Sequence, residues 1–168
     1  MRVKFVKVKN LLRMSHTIIS PETSVDRIWK LLARRDITLV PVVNKENKLV
    51  GVIGEDDLLY RLVPDYREYF SDFLPDSPDM GDLEDKFEKE ILLTAADVMN
   101  KNYITVTADQ PIFKALSRMM TYHVRSLPVV DDNKKYLGMV IEDDIMQYLF
   151  EKHQHIVSML KLKKQRKF

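Results

Sequence analysis

Two acidic triplets, Glu55-Asp56-Asp57 and Glu142-Asp143-Asp144, are clusters of this chain that offer several carboxylates to a ligand or a metal ion. Clustered carboxylates suit a divalent cation such as Mg²⁺. Each triplet runs directly into an apolar stretch, which indicates the first turn of a helix, where acids complement the positive end of the helix dipole. Adjacent residues at a helix start point in different directions, so we predict helix-start acids rather than a metal site.

Residues for the common catalytic chemistries are missing from the sequence. The four glycines form neither a GxGxxG nor a GxxxxGK loop. The chain has no cysteine, which excludes a thiol nucleophile, a thiolate metal site and a disulfide framework. There is no GxSxG elbow or zinc motif, and His153 and His155 diverge on a predicted helix. We therefore predict a protein that is not an enzyme and that requires no metal or cofactor.

The net charge of +2 hides an uneven charge distribution. Residues 65–90 hold ten acids against three bases, whereas five of the last eight residues are Lys or Arg. Solvated surfaces explain both runs best; docking of a partner protein on the acidic run is the alternative, and nucleic-acid binding by the tail is less favoured because aromatic residues are nearly absent there. With no signal peptide and no apolar run of about 20 residues, the sequence predicts a soluble, cytoplasmic protein.

An internal repeat organises the chain. A shift of 87 residues places Leu39–Val43 on Ser126–Val130, residues 49–53 on 136–140, and the first acidic triplet on the second. Two of the four glycines coincide as well. Self-similarity over this many positions indicates two copies of one structural unit.

Each copy predicts the element order strand, helix, strand, strand, helix. Apolar residues at i, i+3, i+4 and i+7 in Val25–Leu32 and in residues 112–119 indicate one helix face per copy. Short β-branched runs at 17–19 and 104–106 indicate the first strands, and polar loops between the next two apolar runs indicate hairpins. We expect an α/β (α+β) fold in which two β-α-β-β-α repeats pack sheet to sheet about a pseudo-twofold axis, with clefts where they meet.

The predicted domain organisation follows from the repeat. Residues 1–63 form the first repeat with an N-terminal strand, 64–94 an acidic helical insert, and 95–168 the second repeat with an extended C-terminal helix and a basic tail. Helical spacing predicts two short helices in the insert, over 66–73 and 83–92. Trp29 lies in the apolar helix stripe, where a core or dimer-interface role is expected, while His16 and His123 are expected at the surface or facing ligand phosphate.

The ordered motif, found twice, resembles a tandem pair of CBS domains, the Bateman module. The residues that carry the resemblance are the Leu-Pro-Val-Val and Gly-containing strands of both copies with their Glu-Asp-Asp triplets. Asp97-Val98-Met99 is similar to the entry motif of the family, and Leu12-Arg13-Met14 is a looser version of it. The resemblance implies a regulatory module that binds AMP, ADP, ATP or S-adenosylmethionine between its repeats. It also implies a homodimer formed through the helix faces Val25–Leu32 and 112–119 or the terminal helices, and a regulated protein partner.

The resemblance also implies which residues bind the ligand. In the family an Asp holds the ribose hydroxyls, and Asp57 and Asp144 stand at that position. A Ser or Thr touches phosphate, and this position is Gly54 in the first copy and Ile141 in the second. Arg125 stands where related modules place a cation facing phosphate, and Thr38 is its equivalent. The adenine ring would lie against Ile18, Ile19 and Val40, with Pro41, in one site, and against Thr105, Val106 and Leu127, with Pro128, in the other.

A second interpretation stays open. Because neither copy has the phosphate-binding hydroxyl, the chain would be a structural interaction module with degenerate clefts, and the acidic insert or the basic tail would dock a protein or nucleic-acid partner. Helix capping is likewise an alternative role for Asp57 and Asp144.

Overall fold

The computed structural model describes residues 6–14, 17–34, 37–62 and 80–165, and these form two compact units. Unit A consists of residues 17–34, 37–62, 80–104 and 130–136. Unit B consists of residues 6–14, 105–129 and 137–165. The predicted mixed α/β fold class is confirmed. The described chain contains no helix with the length and apolar character needed to cross a membrane.

Unit A contains one repeat core and the helix of the insert. Its elements are α1 (Val25–Leu32), β1 (Leu39–Val43), β2 (Leu49–Gly54), α2 (Glu55–Leu62), α3 (Met80–Ile91) and α4 (Ala95–Val98). β1 and β2 pair antiparallel, with Leu39 opposite Gly54. In the predicted first strand at 17–19, Ile19 forms a parallel bridge to Val42.

Unit B repeats the same order. A 3-10 helix (Val8–Asn10) precedes β3 (Val106–Thr107), α5 (Ile112–Tyr122), β4 (Ser126–Val130), β5 (Tyr136–Ile141) and α6 (Glu142–Gln165). The strands form one sheet in the order β3-β4-β5, and Val130 and Tyr136 are grouped with unit A through their hairpin loop. The predicted strand at 104–106 lies one to two residues later than expected, at β3. The 24 residues of α6 confirm the extended C-terminal helix.

The predicted helix faces form the cores of the units. Val25 and Ile28 are fully buried in unit A, as are Ile112 and Ala115 in unit B. Burying one such isoleucine side chain contributes about 1.5–3 kcal/mol. The hydrophobic period of the sequence therefore identified the inward side of both helices correctly.

Helix α3 confirms the second helix predicted in the insert, whereas the first, at 66–73, lies outside the described residues. The half-buried Trp29 ring lies 5.9 Å from the Phe87 ring, centroid to centroid. Arg61 Nε and Glu90 Oε2 form an ion pair at 2.6 Å. The Trp29 side chain thus packs against the insert helix within unit A, at the edge of the core.

Each unit contains the N-terminal segment of the opposite repeat. We call these the entry segments: residues 93–101 in unit A and 6–14 in unit B. In unit A, the amide of Val25 donates to the carbonyl of Leu93 at 3.0 Å; in unit B, the amide of Ile112 donates to the carbonyl of Val6 at 2.8 Å. These two bonds are equivalent under the 87-residue shift, since 25 + 87 = 112 and 6 + 87 = 93. The chain therefore exchanges equivalent segments between its two copies.

Glycine permits the close approach of each entry segment. A Cβ placed on Gly51 would lie 2.5 Å from Met99 Sδ. A Cβ on Gly138 would overlap the carbonyl oxygen of Arg13, and Gly138 also has a φ of +149°. Leu12 lies against Gly138 as Met99 lies against Gly51, so residues 10–12 are the entry motif of the first copy. The assignment of this motif to Leu12-Arg13-Met14 was therefore wrong by two residues, because it relied on residue identity.

Candidate functional site

The Asp57 site is built in unit A where β2 passes directly into α2. The amide of Gly54 donates to Asp57 Oδ2 at 2.7 Å, which fixes the half-buried carboxylate over the start of the helix. Burial raises the pKa of Asp57; the bond from Gly54 opposes this rise, and the neighbouring Asp56 charge adds to it. We call Asp57 together with Gly54 and the neighbouring Thr38 the Asp57 site.

Gly54 takes the place at which the family has a hydroxyl. Because its amide already binds Asp57, this N–H is engaged within the chain. A Cβ at Gly54 would meet Leu39 Cδ1 and the Thr38 carbonyl at 3.6 Å, which is ordinary van der Waals contact. A small side chain therefore fits at Gly54 without moving its neighbours.

The Asp144 site is the equivalent position in unit B, and it has a different partner. Arg13 Nη2 donates to Asp144 Oδ1 at 2.5 Å. Asp144 Oδ2 is buried, and no residue in the described chain donates a hydrogen bond to it. The hydrogen bond and charge of Asp144 raise the pKa of Arg13, against a smaller effect of burial. We call Asp144 and the adjoining end of β5 at Ile141 the Asp144 site.

Arg125 lies at the same helix start. Its Nε lies 3.3 Å from Glu142 Oε2 and its Nη2 lies 2.9 Å from Asp143 Oδ1. The carbonyl of Arg125 accepts the amide of Glu142 at 2.8 Å, which ties the start of β4 to the start of α6. The guanidinium is thus next to the Asp144 site, and it neutralises the two other acids of the triplet. The side chain is mostly exposed, so these ion pairs contribute little to stability.

The remaining predicted site residues divide by burial. Ile18 and Thr38 are exposed, and Thr105 and Ile141 are half-buried, so ligand could reach these four. The other six, Ile19, Val40, Pro41, Val106, Leu127 and Pro128, are buried in the cores of their units. Direct adenine contact by these buried residues stays a prediction, whereas their packing behind the exposed positions is observed.

Two arginines near the site were missed by the sequence analysis. Arg13 was noted only as part of an entry motif, and its counterpart in the other copy is Asn100, so no shared identity marks it. Arg118 Nη1 donates to the carbonyl of Thr105 and so holds the backbone just before β3. Arg118 lies outside the face formed by Ile112, Ala115 and Met119, so the apolar pattern of the sequence did not mark it.

Among the residues that the structure describes, no group of three or more His, Asp or Glu side chains could hold a metal ion. His153 and His155 are exposed on α6, and His123 ends α5 in the left-handed conformation with a φ of 54°. His16 lies outside the described residues. Both acidic triplets form the first turn of a helix, α2 in one copy and α6 in the other.

Comparison with known proteins identifies the family. A family model for the CBS domain matches residues 8–64 and 95–151. A CBS domain-containing protein from Dictyostelium discoideum is 32% identical over 146 residues, which is 87% of this chain and 92% of that protein. The chain therefore belongs to the CBS domain family and contains a tandem pair of these domains.

Related enzymes and solved structures agree with this assignment. Inosine-5'-monophosphate dehydrogenase from Aquifex aeolicus is 29% identical over 77% of this chain, but the match spans only 21% of that enzyme. CBSX2 from Arabidopsis thaliana has the same fold, with a TM-score of 0.69 and 21% identity over 90% of this chain and 99% of its own. A CBS domain pair solved with 5'-methylthioadenosine and S-adenosyl-L-methionine matches with a TM-score of 0.63, 23% identity, and coverage of 88% and 98%.

Proposed function

We propose that this chain is a non-catalytic regulatory module that binds an adenine nucleotide or S-adenosylmethionine, with Asp57 and Asp144 as the acceptors for the ribose hydroxyls. The fold supports this proposal because CBSX2 has also been solved in complex with AMP, at a TM-score of 0.65. The segment that matches this chain makes up 21% of the length of inosine-5'-monophosphate dehydrogenase. This small share favours a regulatory rather than a catalytic contribution.

The proposal rests on the burial and the hydrogen bonding of the Asp57 carboxylate. This carboxylate is half-buried, its pKa is raised by burial, and the Gly54 amide orients it. A partly desolvated anion gains more from added hydrogen-bond donors than a hydrated one. Two ribose hydroxyls would supply such donors, so bound ligand favours the ionised form and offsets the cost of burying it.

Phosphate recognition in this chain needs groups other than the hydroxyl of the family. At the Asp144 site, Arg125 is the cation best placed to turn toward an anionic ligand, because its exposed guanidinium forms only weak ion pairs. At the Asp57 site, the equivalent residue is Thr38. We therefore expect a larger phosphate contribution to binding at the Asp144 site than at the Asp57 site.

Ligand binding would act on a partner protein by shifting the populations of the conformations of the homodimer. A ligand that binds one arrangement of a homodimer more tightly stabilises that arrangement and changes the surface offered to a regulated partner. The homodimer, the partner and a cytoplasmic location are parts of this proposal. The exposed apolar side chains of α5, Phe113 and Met120, are consistent with a helix face that is covered in an assembly.

Titration calorimetry of the full chain with AMP, ADP, ATP and S-adenosylmethionine tests the function. We expect saturable binding of at least one of them in the micromolar range. Absence of heat and of any shift in Tm with all four ligands at millimolar concentration would contradict the proposal.

A structural interaction module is the second candidate. The observation in its favour is that both aspartates and Arg125 already have partners within the chain. Such a module would dock a protein or nucleic acid through the acidic insert or the basic tail. Capture of the same partner at equal yield with and without nucleotide supports it; partner binding that follows nucleotide concentration supports the regulatory module.

A further inference from the structure

The two aspartates at equivalent positions are held in different ways. Asp57 accepts a hydrogen bond from the amide of Gly54, three residues away, at 2.7 Å. Asp144 accepts one from the side chain of Arg13, which is 131 residues away in sequence. Its second oxygen, Oδ2, is shielded from solvent and receives no hydrogen bond from the described residues. A new donor at Asp144 therefore meets one oxygen that Arg13 already binds and one that is shielded from solvent.

The backbone fixes Arg13 in this position. Its amide donates to the carbonyl of Met139 and its carbonyl accepts the amide of Met139, both at 2.8 Å. Gly138 makes this pairing possible because any Cβ there would overlap the Arg13 carbonyl. The guanidinium therefore extends from an anchored residue, while the side chain itself stays 58% exposed. An anchored backbone with an exposed side chain allows the guanidinium to swing away without unfolding the unit.

Asn100 occupies the same place in unit A and does not repeat the interaction. It pairs with Val52 through two backbone bonds, of 3.1 and 2.8 Å. Its side-chain Oδ1 accepts the amide of Asn102 at 2.8 Å, so it is turned toward its own loop. The backbone pairing of Arg13 is therefore repeated at Asn100, whereas the side-chain bond of Arg13 to an aspartate is not.

We propose that Arg13 is a latch on the Asp144 site, so that an adenosine ligand fills the Asp57 site first and reaches Asp144 only after Arg13 has been displaced. This inference rests on the proposed function. The guanidinium and the ribose hydroxyls compete for Asp144 Oδ1, and the cost of breaking a charge-assisted hydrogen bond lowers the affinity of that site. The Asp57 site has no such competitor in its entry segment. A pair of similar sites thereby becomes one open site and one restrained site.

The test isolates the Asp144 site by working in an Asp57→Asn background. Adenosine and AMP are titrated into Asp57→Asn, Asp57→Asn/Arg13→Asn and Asp57→Asn/Lys9→Asn, with the wild-type chain in parallel. Arg13→Asn installs the residue found in the other copy. Lys9→Asn removes one charge from the same segment, at a side chain that pairs with Asp109 rather than Asp144. Arg13→Gln serves as a second variant if Arg13→Asn lowers the yield of folded protein.

We expect Arg13→Asn to tighten adenosine binding about tenfold or more, which corresponds to one charge-assisted hydrogen bond no longer broken, and Lys9→Asn to leave it unchanged. Equal adenosine affinity with and without Arg13 overturns the latch. Weaker adenosine or AMP binding without Arg13 also overturns it, and would make Arg13 a ligand contact. If the wild-type chain binds AMP but Arg13→Asn changes nothing, only the latch fails. If neither the wild-type chain nor any variant binds either probe, the latch fails, and the four-ligand calorimetry above decides separately whether the proposed function fails.

Discussion

The amide of Gly54 donates to the carboxylate of Asp57 at 2.7 Å, so the residue that replaces the hydroxyl of the family is also the residue that orients the proposed ribose acceptor. One bond therefore links the two positions on which the proposed ligand binding in the first copy rests. The strength of this bond determines how rigidly the Asp57 carboxylate is held. The space beside Gly54 determines which side chain can replace the glycine.

The raised pKa of Asp57 predicts a pH-dependent cost to folding. The folded chain holds this proton more tightly than the unfolded chain does, so ionisation of Asp57 reduces stability. The stabilising contribution of the protonated form is complete below the unfolded pKa, near 3.8, and is lost as the pH rises through the higher folded pKa.

The Asp57→Asn variant tests this cost. An amide oxygen still accepts the Gly54 N–H, and no charge is buried. We expect its Tm at pH 7 to be equal to or above that of the wild-type chain, with any gain shrinking as the pH falls toward about 3.8. Thermal unfolding followed by circular dichroism at a series of pH values measures this. A Tm at pH 7 clearly below that of the wild type would show that the Asp57 charge stabilises the fold.

Gly54→Ser predicts a gain of phosphate binding. The Cβ fits at 3.6 Å from its nearest neighbours, and the hydroxyl restores the group that the family uses. A hydrogen bond to a charged phosphate contributes about 1.5–3 kcal/mol, so AMP affinity should rise roughly tenfold while adenosine affinity stays the same. Calorimetry with both ligands measures the difference, and Gly54→Ala separates the hydroxyl from the added Cβ. An equal effect of Ser and Ala on AMP would refute the role of the hydroxyl.

Gly138→Ala predicts a large loss of stability. Its φ of +149° is a strained conformation for alanine, and the new Cβ would collide with the Arg13 carbonyl. Strain and overpacking each cost about 1–3 kcal/mol, so we expect a loss of about 3 kcal/mol and a fall in Tm of roughly 10 °C. Gly54→Ala is the matched control and should change stability by less than about 1 kcal/mol. Similar Tm values for the two variants would contradict the close approach of the entry segment.

Docking of the insert helix can be followed through Trp29, the only tryptophan in the chain. Its ring packs against Phe87 of α3. Phe87→Ala should expose the indole and move its fluorescence emission to longer wavelength, whereas Phe150→Ala, at an exposed position on α6, should not. An unchanged spectrum in Phe87→Ala would mean that α3 does not cover Trp29 in solution.

The sequence predicted those features that depend on local periodicity. The 87-residue repeat identified the hairpins, the helix faces and the helix-start acids, because both copies contain the same pattern of apolar residues, turn residues and acids. Val25 and Ile112, for example, were placed correctly in their cores.

The exchange of entry segments was not predictable in the same way. Met99 packs on Gly51, and Arg13 pairs with Met139, through backbone geometry that forms only when distant parts of the chain come together. The repeat does not mark Arg13 as a site residue, because its counterpart is Asn100 and the repeat reveals only residues that the two copies share. The asymmetry between the copies was therefore visible only in three dimensions.

Asp57 is the proposed acceptor for the ribose hydroxyls of an adenosine ligand. Titration calorimetry tests this role through the stoichiometry and affinity of AMP binding by the wild-type chain, Asp57→Asn and Asp56→Asn. Asp56 is the adjacent, exposed carboxylate and carries the same charge change. We predict that Asp57→Asn removes the tighter binding event while Asp56→Asn keeps it; equal AMP binding by Asp57→Asn and the wild-type chain would contradict the account.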